Sequence, residues 1–135
     1  MSQELQKAVQ ALTSSYKIHA IILFGSRARG DHKPWSDYDL LIIGEFDKPF
    51  LDRIGDVLKT LEEIKLPIEP FPYTPREAQD MLKKANPTIV NALEEGKPLY
   101  TSQTYQKLVK QLQELKRKGL KKTTTTITMP REKES

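Results

Sequence analysis

Two short apolar runs dominate the hydrophobic pattern of the chain. Residues 18–24 are almost entirely apolar and end at Gly25-Ser26, and residues 40–43 begin just after Asp37 and Asp39. Short runs rich in Ile, Leu and Phe that are bounded by turn residues are typical of buried β-strands. The pattern therefore predicts two strands that bring the Gly-Ser turn and the two aspartates to the same end of one sheet.

Apolar residues recur at helical spacing in most of the remaining chain, and start and stop signals bound several of these segments. Ser2 is a candidate cap for the first helix, and Asp47 is the expected cap of the third, with Pro49 in its first turn. The sequence Thr74-Pro-Arg-Glu77 fits a capping box. The predicted helices cover residues 3–15, 26–29, 47–64, 74–82, 86–95 and about 102–115.

A third strand is predicted over residues 66–73, although this segment contains Pro67, Pro70 and Pro72. Proline has no N–H to donate to a β-ladder, so this strand should lie at an edge or be broken. A short extended segment is expected at residues 97–100. These elements together predict an α/β fold, a small mixed sheet of three or four strands flanked by helices.

The composition fits one domain followed by a tail. The 135 residues are 37% hydrophobic and include no cysteine, which excludes disulfides and thiolate zinc sites. Residues 1–118 are expected to form the domain. Residues 119–135, with four consecutive threonines, contain too little apolar surface to fold and are expected to be a flexible tail.

The net charge of +4 comes from the end of the chain. Residues 116–135 carry +5, whereas residues 1–115 carry 15 basic and 16 acidic side chains, a net charge of −1. The predicted domain therefore gives no indication of nucleic-acid binding, although the tail could contact RNA or an acidic partner. There is no membrane-spanning apolar stretch and no signal-peptide core, so a soluble cytoplasmic protein is the default interpretation.

The chemistry of the Gly-Ser turn and the aspartates suits a metal-dependent phosphate site. Side chains two apart on a strand share a face about 7 Å apart, and two carboxylates that close repel unless a cation lies between them. Gly25 permits close approach of the backbone to a ligand, and Ser26 offers a hydroxyl and an amide to phosphate oxygens. Arg27 and Arg29 could add charge-assisted contacts.

Each of these motifs alone is usually structural, as a turn or as solvated carboxylates. Together they are more specific. Gly25-Ser26, a spacer of ten residues, and Asp37-x-Asp39 resemble the signature of the minimal nucleotidyltransferases of the DNA polymerase beta superfamily. The longer strings Gly-Ser-Arg-Ala-Arg-Gly and Ser-Asp-Tyr-Asp-Leu-Leu are similar to the nucleotidyltransferase antitoxins that pair with helical HEPN toxins.

This resemblance implies a site with two Mg²⁺ ions that takes AMP from ATP. Asp37, Asp39 and a third carboxylate, carried over to Glu69, would hold the metal ions as catalytic residues. The nucleotide would be bound by Gly25, Ser26, Arg27 and Arg29. Glu69 is equally well interpreted as an exposed residue of an edge strand. Trp35 could stack on a base, but covering the sheet edge is the favoured interpretation.

Three functions remain open at this point. The first is transfer of a nucleoside monophosphate to a hydroxyl of a partner protein such as a HEPN toxin, an antitoxin role. The second is transfer to a small molecule, for which about 115 residues leave little room because such enzymes usually carry an additional acceptor-binding domain. The third is a non-catalytic module that binds a nucleotide or a helical partner.

Overall fold

The computed structural model describes residues 1–119, 121–122 and 127–128. Helices and strands alternate along most of the chain. In order, they are α1 (Gln3–Ser15), β1 (Ile18–Phe24), α2 (Ser26–Arg29), β2 (Tyr38–Gly44), α3 (Phe50–Thr60), β3 (Ile68–Tyr73), α4 (Pro75–Lys83), α5 (Pro87–Glu95), β4 (Lys97–Tyr100), α6 (Gln103–Arg117), β5 (Lys121–Lys122) and β6 (Ile127–Thr128). From α1 to α6 this order matches the predicted one, whereas β5 and β6 were not predicted.

The main sheet has four strands in the order β3-β2-β1-β4 and is mixed. Strand β1 pairs antiparallel with β2 and β4, and β2 pairs parallel with β3. Alternating strand residues separate the core into two clusters, one beneath each face. The residues of one cluster pack with α4, α5 and α6, and those of the other pack with α1 and α3. The prediction of a small mixed sheet flanked by helices is confirmed.

The pairing of the first three strands decides where the site lies. Phe24, the last residue of β1, is the register partner of Asp39 on β2. Asp39 is in turn the register partner of Glu69 on β3. The Gly-Ser turn, the aspartates and the glutamate therefore meet at one end of the sheet, as the sequence pattern indicated for the first two.

Local capping signals fix most of the helix starts. Ser2 accepts a hydrogen bond from the Leu5 amide at 3.2 Å, and the capping box of Thr74 and Glu77 is present. One expectation is wrong: Asp47 does not cap α3. That helix begins at Phe50 with Pro49 in the cap position and no side-chain cap, because the extended backbone of Pro49 lies between Asp47 and the first helical amides. A second difference is at β2, which begins at Tyr38, so Asp39 lies inside the strand.

The prolines of β3 lie where the missing N–H groups cost little. β3 is an edge strand, as expected. The Tyr38 amide donates a hydrogen bond to the carbonyl of Pro67, just before β3. The odd-numbered residues of β3 therefore direct their N–H and C=O groups toward β2. Pro70 and Pro72 then direct theirs outward, where no strand follows. The Pro72 carbonyl accepts a hydrogen bond from Arg53 of α3 at 3.3 Å on that outer side.

Arg53 joins three elements at this edge. Its side chain is only about 9% exposed, and its guanidinium makes a two-pronged pair with Glu77 of α4 at 2.7 and 3.2 Å. Its Nε donates to the Lys48 carbonyl at 2.6 Å. The sequence pattern had marked none of these contacts. The contacts of Arg53 hold α3 and α4 against the outer edge of β3.

The segment predicted as a tail lies mostly outside the described residues. Within it, β5 and β6 pair antiparallel. The prediction that residues 119–135 are flexible therefore stays a prediction. None of the described helices is long and apolar enough to span a membrane.

Candidate active site

The turn after β1 is shaped so that only glycine fits at its first position. Gly25 has a φ of 75°, a backbone conformation that residues with a side chain rarely adopt. A Cβ atom at this position would lie 2.4 Å from Oδ2 of Asp39. Ser26 follows as the first residue of α2 and is half-buried. The turn and the central carboxylate are therefore in direct contact.

Three carboxylates converge beside this turn. Asp39 and Glu69 lie opposite each other on parallel strands, which are about 4.8 Å apart, and they share a face of the sheet. Asp37 is two residues before Asp39 and lies close enough to repel it. Asp37 and Glu69 are exposed, whereas Asp39 is partly buried. The structure thus brings together all three predicted carboxylates.

Burial and the neighbouring carboxylates together disfavour the charged form of Asp39. Burial, repulsion from Glu69 and a hydrogen bond with Glu69 raise the pKa of Asp39 to about 6. Asp37 adds to this rise, and Arg29 opposes it. A carboxylate whose charged form is disfavoured in this way would be stabilised by a bound cation.

The donor set fits Mg²⁺ bound together with a nucleotide. Among the described residues, no three His, Asp or Glu side chains already form a complete set of ligands for one ion. Mg²⁺ does not require such a set, because it is usually held by one or two carboxylates together with substrate phosphates and water. Because Gly25 has no side chain, the carboxylate of Asp39 can lie directly against the turn.

The two arginines of α2 have different surroundings. Arg29 forms ion pairs with Asp31 at 3.2 Å and with Glu95 at 3.4 Å, and it lies close enough to Asp39 to lower the pKa of that carboxyl. Arg27 instead donates hydrogen bonds to the carbonyls of the loop before Asp37. The structure therefore places one of the two predicted phosphate ligands, Arg29, beside the carboxylates.

Two further residues have surroundings that the sequence did not indicate. Trp35 is 76% exposed, so the interpretation that it covers the sheet edge is wrong. Glu95, at the end of α5, pairs with Arg29 across 66 residues of sequence, and no local signal could have shown this contact. The site therefore extends from the first strands to the end of α5.

Comparison with known proteins identifies the family. Residues 4–124 match the family model of the nucleotidyltransferase domain. The chain belongs to the nucleotidyltransferase domain family. The prediction that this chain is a nucleotidyltransferase is therefore confirmed.

Two archaeal relatives resemble this nucleotidyltransferase. One, from Methanocaldococcus jannaschii, is named a protein adenylyltransferase (MJ0604) and is 39% identical over 101 residues, which cover 71% of this chain and 94% of the relative. A second protein of the same organism and the same description (MJ1379) is 34% identical over 61 residues, 45% of this chain and 59% of the relative.

Solved structures share the fold of the nucleotidyltransferase. A chain from a mutant of the toxin–antitoxin MntA-HpeT aligns with a TM-score of 0.56 at 16% identity and covers 86% of this chain and 88% of that one. A chain from a toxin–antitoxin crystallised with AMP-PNP aligns with a TM-score of 0.53 at 19% identity and covers 86% and 91%. At these identities the comparison supports the fold alone.

Proposed function

We propose that this nucleotidyltransferase transfers AMP from ATP to a hydroxyl group of a partner protein in a metal-dependent reaction. The observation that carries the proposal is the meeting of Asp37, Asp39 and Glu69 beside the Gly25-Ser26 turn, with Asp39 in contact with the turn. The name of the M. jannaschii relative supports a protein as acceptor and AMP as the transferred group.

The partner is best interpreted as a helical HEPN-type toxin. This interpretation rests on the motif strings of residues 25–30 and 36–41 and on the toxin–antitoxin complexes among proteins of the same fold. One such complex was crystallised with AMP-PNP, which supports ATP as the nucleotide. The protein would then act as an antitoxin by modifying its partner.

The chain's own residues divide the work between the nucleotide and the acceptor. The Gly25-Ser26 backbone and Arg29 would hold the triphosphate, because they lie at the carboxylate end of the sheet. Asp37 and Asp39 would hold the metal ions. Glu69, on the outer strand, would act on the side of the site where the acceptor hydroxyl binds. Bound Mg²⁺ would lower the pKa of the acceptor hydroxyl and neutralise charge on the leaving group.

In the proposed reaction, one bond to the α-phosphorus of ATP forms and another breaks. The acceptor oxygen forms a bond to the α-phosphorus of ATP, and the bond from that phosphorus to the bridging oxygen breaks. Pyrophosphate leaves with the electron pair of that bond. The hydroxyl proton passes to solvent or to Glu69, whose exposed carboxylate is open to the acceptor side. The role of the protein is therefore to position and neutralise charged groups.

The experiment that tests the proposal combines the purified protein with a HEPN-type partner, Mg²⁺ and each of four α-labelled nucleoside triphosphates. We expect label on the partner from ATP, with a mass gain of one AMP and release of pyrophosphate. Chelation of the metal should abolish the label. Label on a small molecule in cell extract, with none on protein, would contradict the proposal of a protein acceptor. The absence of transfer from any of the four triphosphates would contradict the proposed transfer reaction.

Glu69 provides a separate prediction. If it serves the acceptor side, Glu69→Gln should leave ATP binding largely intact while it slows transfer at least about tenfold. Binding can be measured by calorimetry with a non-cleavable ATP analogue, and transfer by label on the partner. Glu62→Gln, in the exposed turn after α3, is the matched control. An unchanged transfer rate would show that Glu69 is an ordinary surface residue of the edge strand.

A further inference from the structure

The loop between α2 and β2 is held near the site by the side chain of Arg27. The Nε and Nη2 atoms of Arg27 donate to the Ser36 carbonyl at 3.2 and 3.1 Å, and Nη2 also donates to the Pro34 carbonyl at 3.2 Å. Residues 31–35 are all exposed. A loop that buries so little apolar surface depends on its hydrogen bonds for its position.

The other hydrogen bonds of this loop do not attach its last residues to the protein. The Ser36 amide donates to the Lys33 carbonyl at 3.1 Å, and the Lys33 amide donates to the Ser36 hydroxyl at 2.9 Å. These bonds close a turn on itself. The pair of Arg29 and Asp31 is exposed and lies at the start of the loop. Among the described residues, Arg27 therefore joins the end of the loop to α2.

Arg27 also contacts the residue on the other side of Asp37. Its guanidinium lies over the ring of Tyr38, 4.4 Å from the ring centre. Cation–π contact of this kind adds to the hydrogen bonds at the edge of the same planar group. Arg27 thus contacts Ser36 and Tyr38, the two residues that flank Asp37 in sequence, and restrains the backbone on both sides of it.

The geometry directs Arg27 away from the carboxylates. Residues two apart on a helix point about 200° from each other, so the side chains of Arg27 and Arg29 leave α2 in nearly opposite directions. Tyr38 packs with the cluster beneath α1 and α3, on the face of β2 opposite to Asp39 and Leu41. Because Arg27 covers Tyr38, it lies on that opposite face, and Arg29 is the arginine that acts on Asp39.

We propose that Arg27 is a positioning residue of the transfer reaction, which holds Asp37 in place beside Asp39 and does not bind the phosphates. This inference rests on the metal-dependent transfer proposed above, because Asp37 matters for catalysis only if it holds a metal ion. It replaces the expectation that both arginines grip the nucleotide. A misplacement of about 1 Å in a metal-holding carboxylate is enough to cost a large factor in rate.

The kinetic test compares Arg27→Lys and Arg27→Ala with Arg29→Ala. A lysine can still attract phosphate as a point charge, but it cannot make the forked hydrogen bonds or stack in the same way. We therefore expect both Arg27 variants to lower kcat about 10- to 100-fold with little change in KM for ATP. Arg29→Ala should instead raise KM. If Arg27→Lys restores wild-type kcat, or if the Arg27 variants mainly raise KM, the positioning role is wrong.

A second measurement follows the loop itself. Hydrogen–deuterium exchange should show the amides of residues 33–37 exchanging at least about tenfold faster in both Arg27 variants. Tyr38→Leu should have part of this effect, whereas Tyr38→Phe keeps the ring and serves as the matched control. Exchange at wild-type rates in Arg27→Ala would overturn the proposal, since it would show that other contacts hold the loop.

These two measurements separate the failure of this inference from the failure of the proposed function. If the wild-type protein transfers no nucleotide, the transfer reaction is wrong and Arg27 has no positioning role in it. If transfer occurs and Arg27→Ala leaves both kcat and exchange unchanged, only the positioning role is wrong. Faster exchange together with lower kcat, at constant KM, supports both.

Discussion

Asp39→Asn is expected to lower nucleotidyl transfer at least about a hundredfold while the protein stays folded, on the scale of losing one electrostatic stabiliser in an active site. Asp39 contacts the Gly25 turn and is the register partner of Glu69, so no other carboxylate can take its place between them. The measurement is transfer of labelled AMP under saturating ATP and Mg²⁺. Asp80→Asn, an exposed carboxylate on α4, is the control. Transfer at wild-type rate would refute the site.

Asp39→Asn should lower transfer but raise the stability of the protein when no metal is present. Because the pKa of Asp39 is raised to about 6, the folded protein holds this proton more tightly than the unfolded chain does. The contribution of the protonated Asp39 side chain to the stability of the fold is therefore present below about pH 4 and is lost as the pH rises through about 6.

In a chelating buffer at pH 7, Asp39→Asn should melt higher than the wild type. Added Mg²⁺ should raise the wild-type melting temperature and leave the variant nearly unchanged. At pH 4, where Asp39 is protonated, the advantage of the variant should disappear. A wild-type melting curve that responds to neither pH nor Mg²⁺ would contradict the accumulation of negative charge at this site.

Arg53→Met is expected to give the largest loss of stability. Removal of one partner from a buried ion pair costs about 3 to 5 kcal/mol, and we expect about 3 kcal/mol because the Glu77 side chain is 42% exposed and can be rehydrated. The variant also loses the hydrogen bonds to the Lys48 and Pro72 carbonyls. Thermal unfolding should show a midpoint lower by about 10 °C.

Three variants check the cause of this loss. Arg76→Met removes an exposed arginine of α4 and should change the midpoint little. Arg53→Lys keeps the charge without the fork and should recover only part of the stability. Glu77→Gln keeps the capping box but not the charge. If Arg53→Met melts with the wild type, the pair does not fasten the sheet edge.

The pH dependence of the Arg53 pair has a definite sign. Burial of Glu77 opposes ionisation, but the Arg53 guanidinium and the Thr74 amide together hold the pKa of Glu77 below its usual value. A carboxyl group whose pKa is lowered in the folded protein stabilises the fold at a pH above the usual pKa of that group. This stabilisation is lost as the pH falls through the lowered pKa. The difference in melting temperature between the wild type and Arg53→Met should therefore become smaller at acidic pH.

The sequence predicted the part of the site that depends on local pattern. A strand that ends in Gly25-Ser26 and a strand that begins at an Asp-x-Asp pair can meet only if the strands are neighbours, and the apolar runs made that pairing the simplest one. Prolines in β3 correctly predicted an edge strand, since they limit hydrogen bonding on one side. The register of Glu69 with Asp39, however, needed the parallel pairing of β2 with β3.

Contacts between distant segments could not be predicted. Arg53 and Glu77 are 24 residues apart on separate helices, and neither has a local feature that marks a buried pair. Arg27 has the charge expected of a phosphate ligand, and no local pattern indicates its position over the ring of Tyr38. The Asp47 cap failed for a related reason, because the exact start of a helix depends on one or two dihedral angles near Pro49.

The prolines at the sheet edges also limit how this protein can assemble. Pro70 and Pro72 direct their backbone groups outward from β3, and β4 at the other edge has only four residues, of which one is Pro98. Neither edge offers the regular row of free N–H groups that strand addition requires. A partner of the described domain is therefore expected to be recognised through side chains on helices and loops. The same edges should resist intermolecular β-pairing at high concentration.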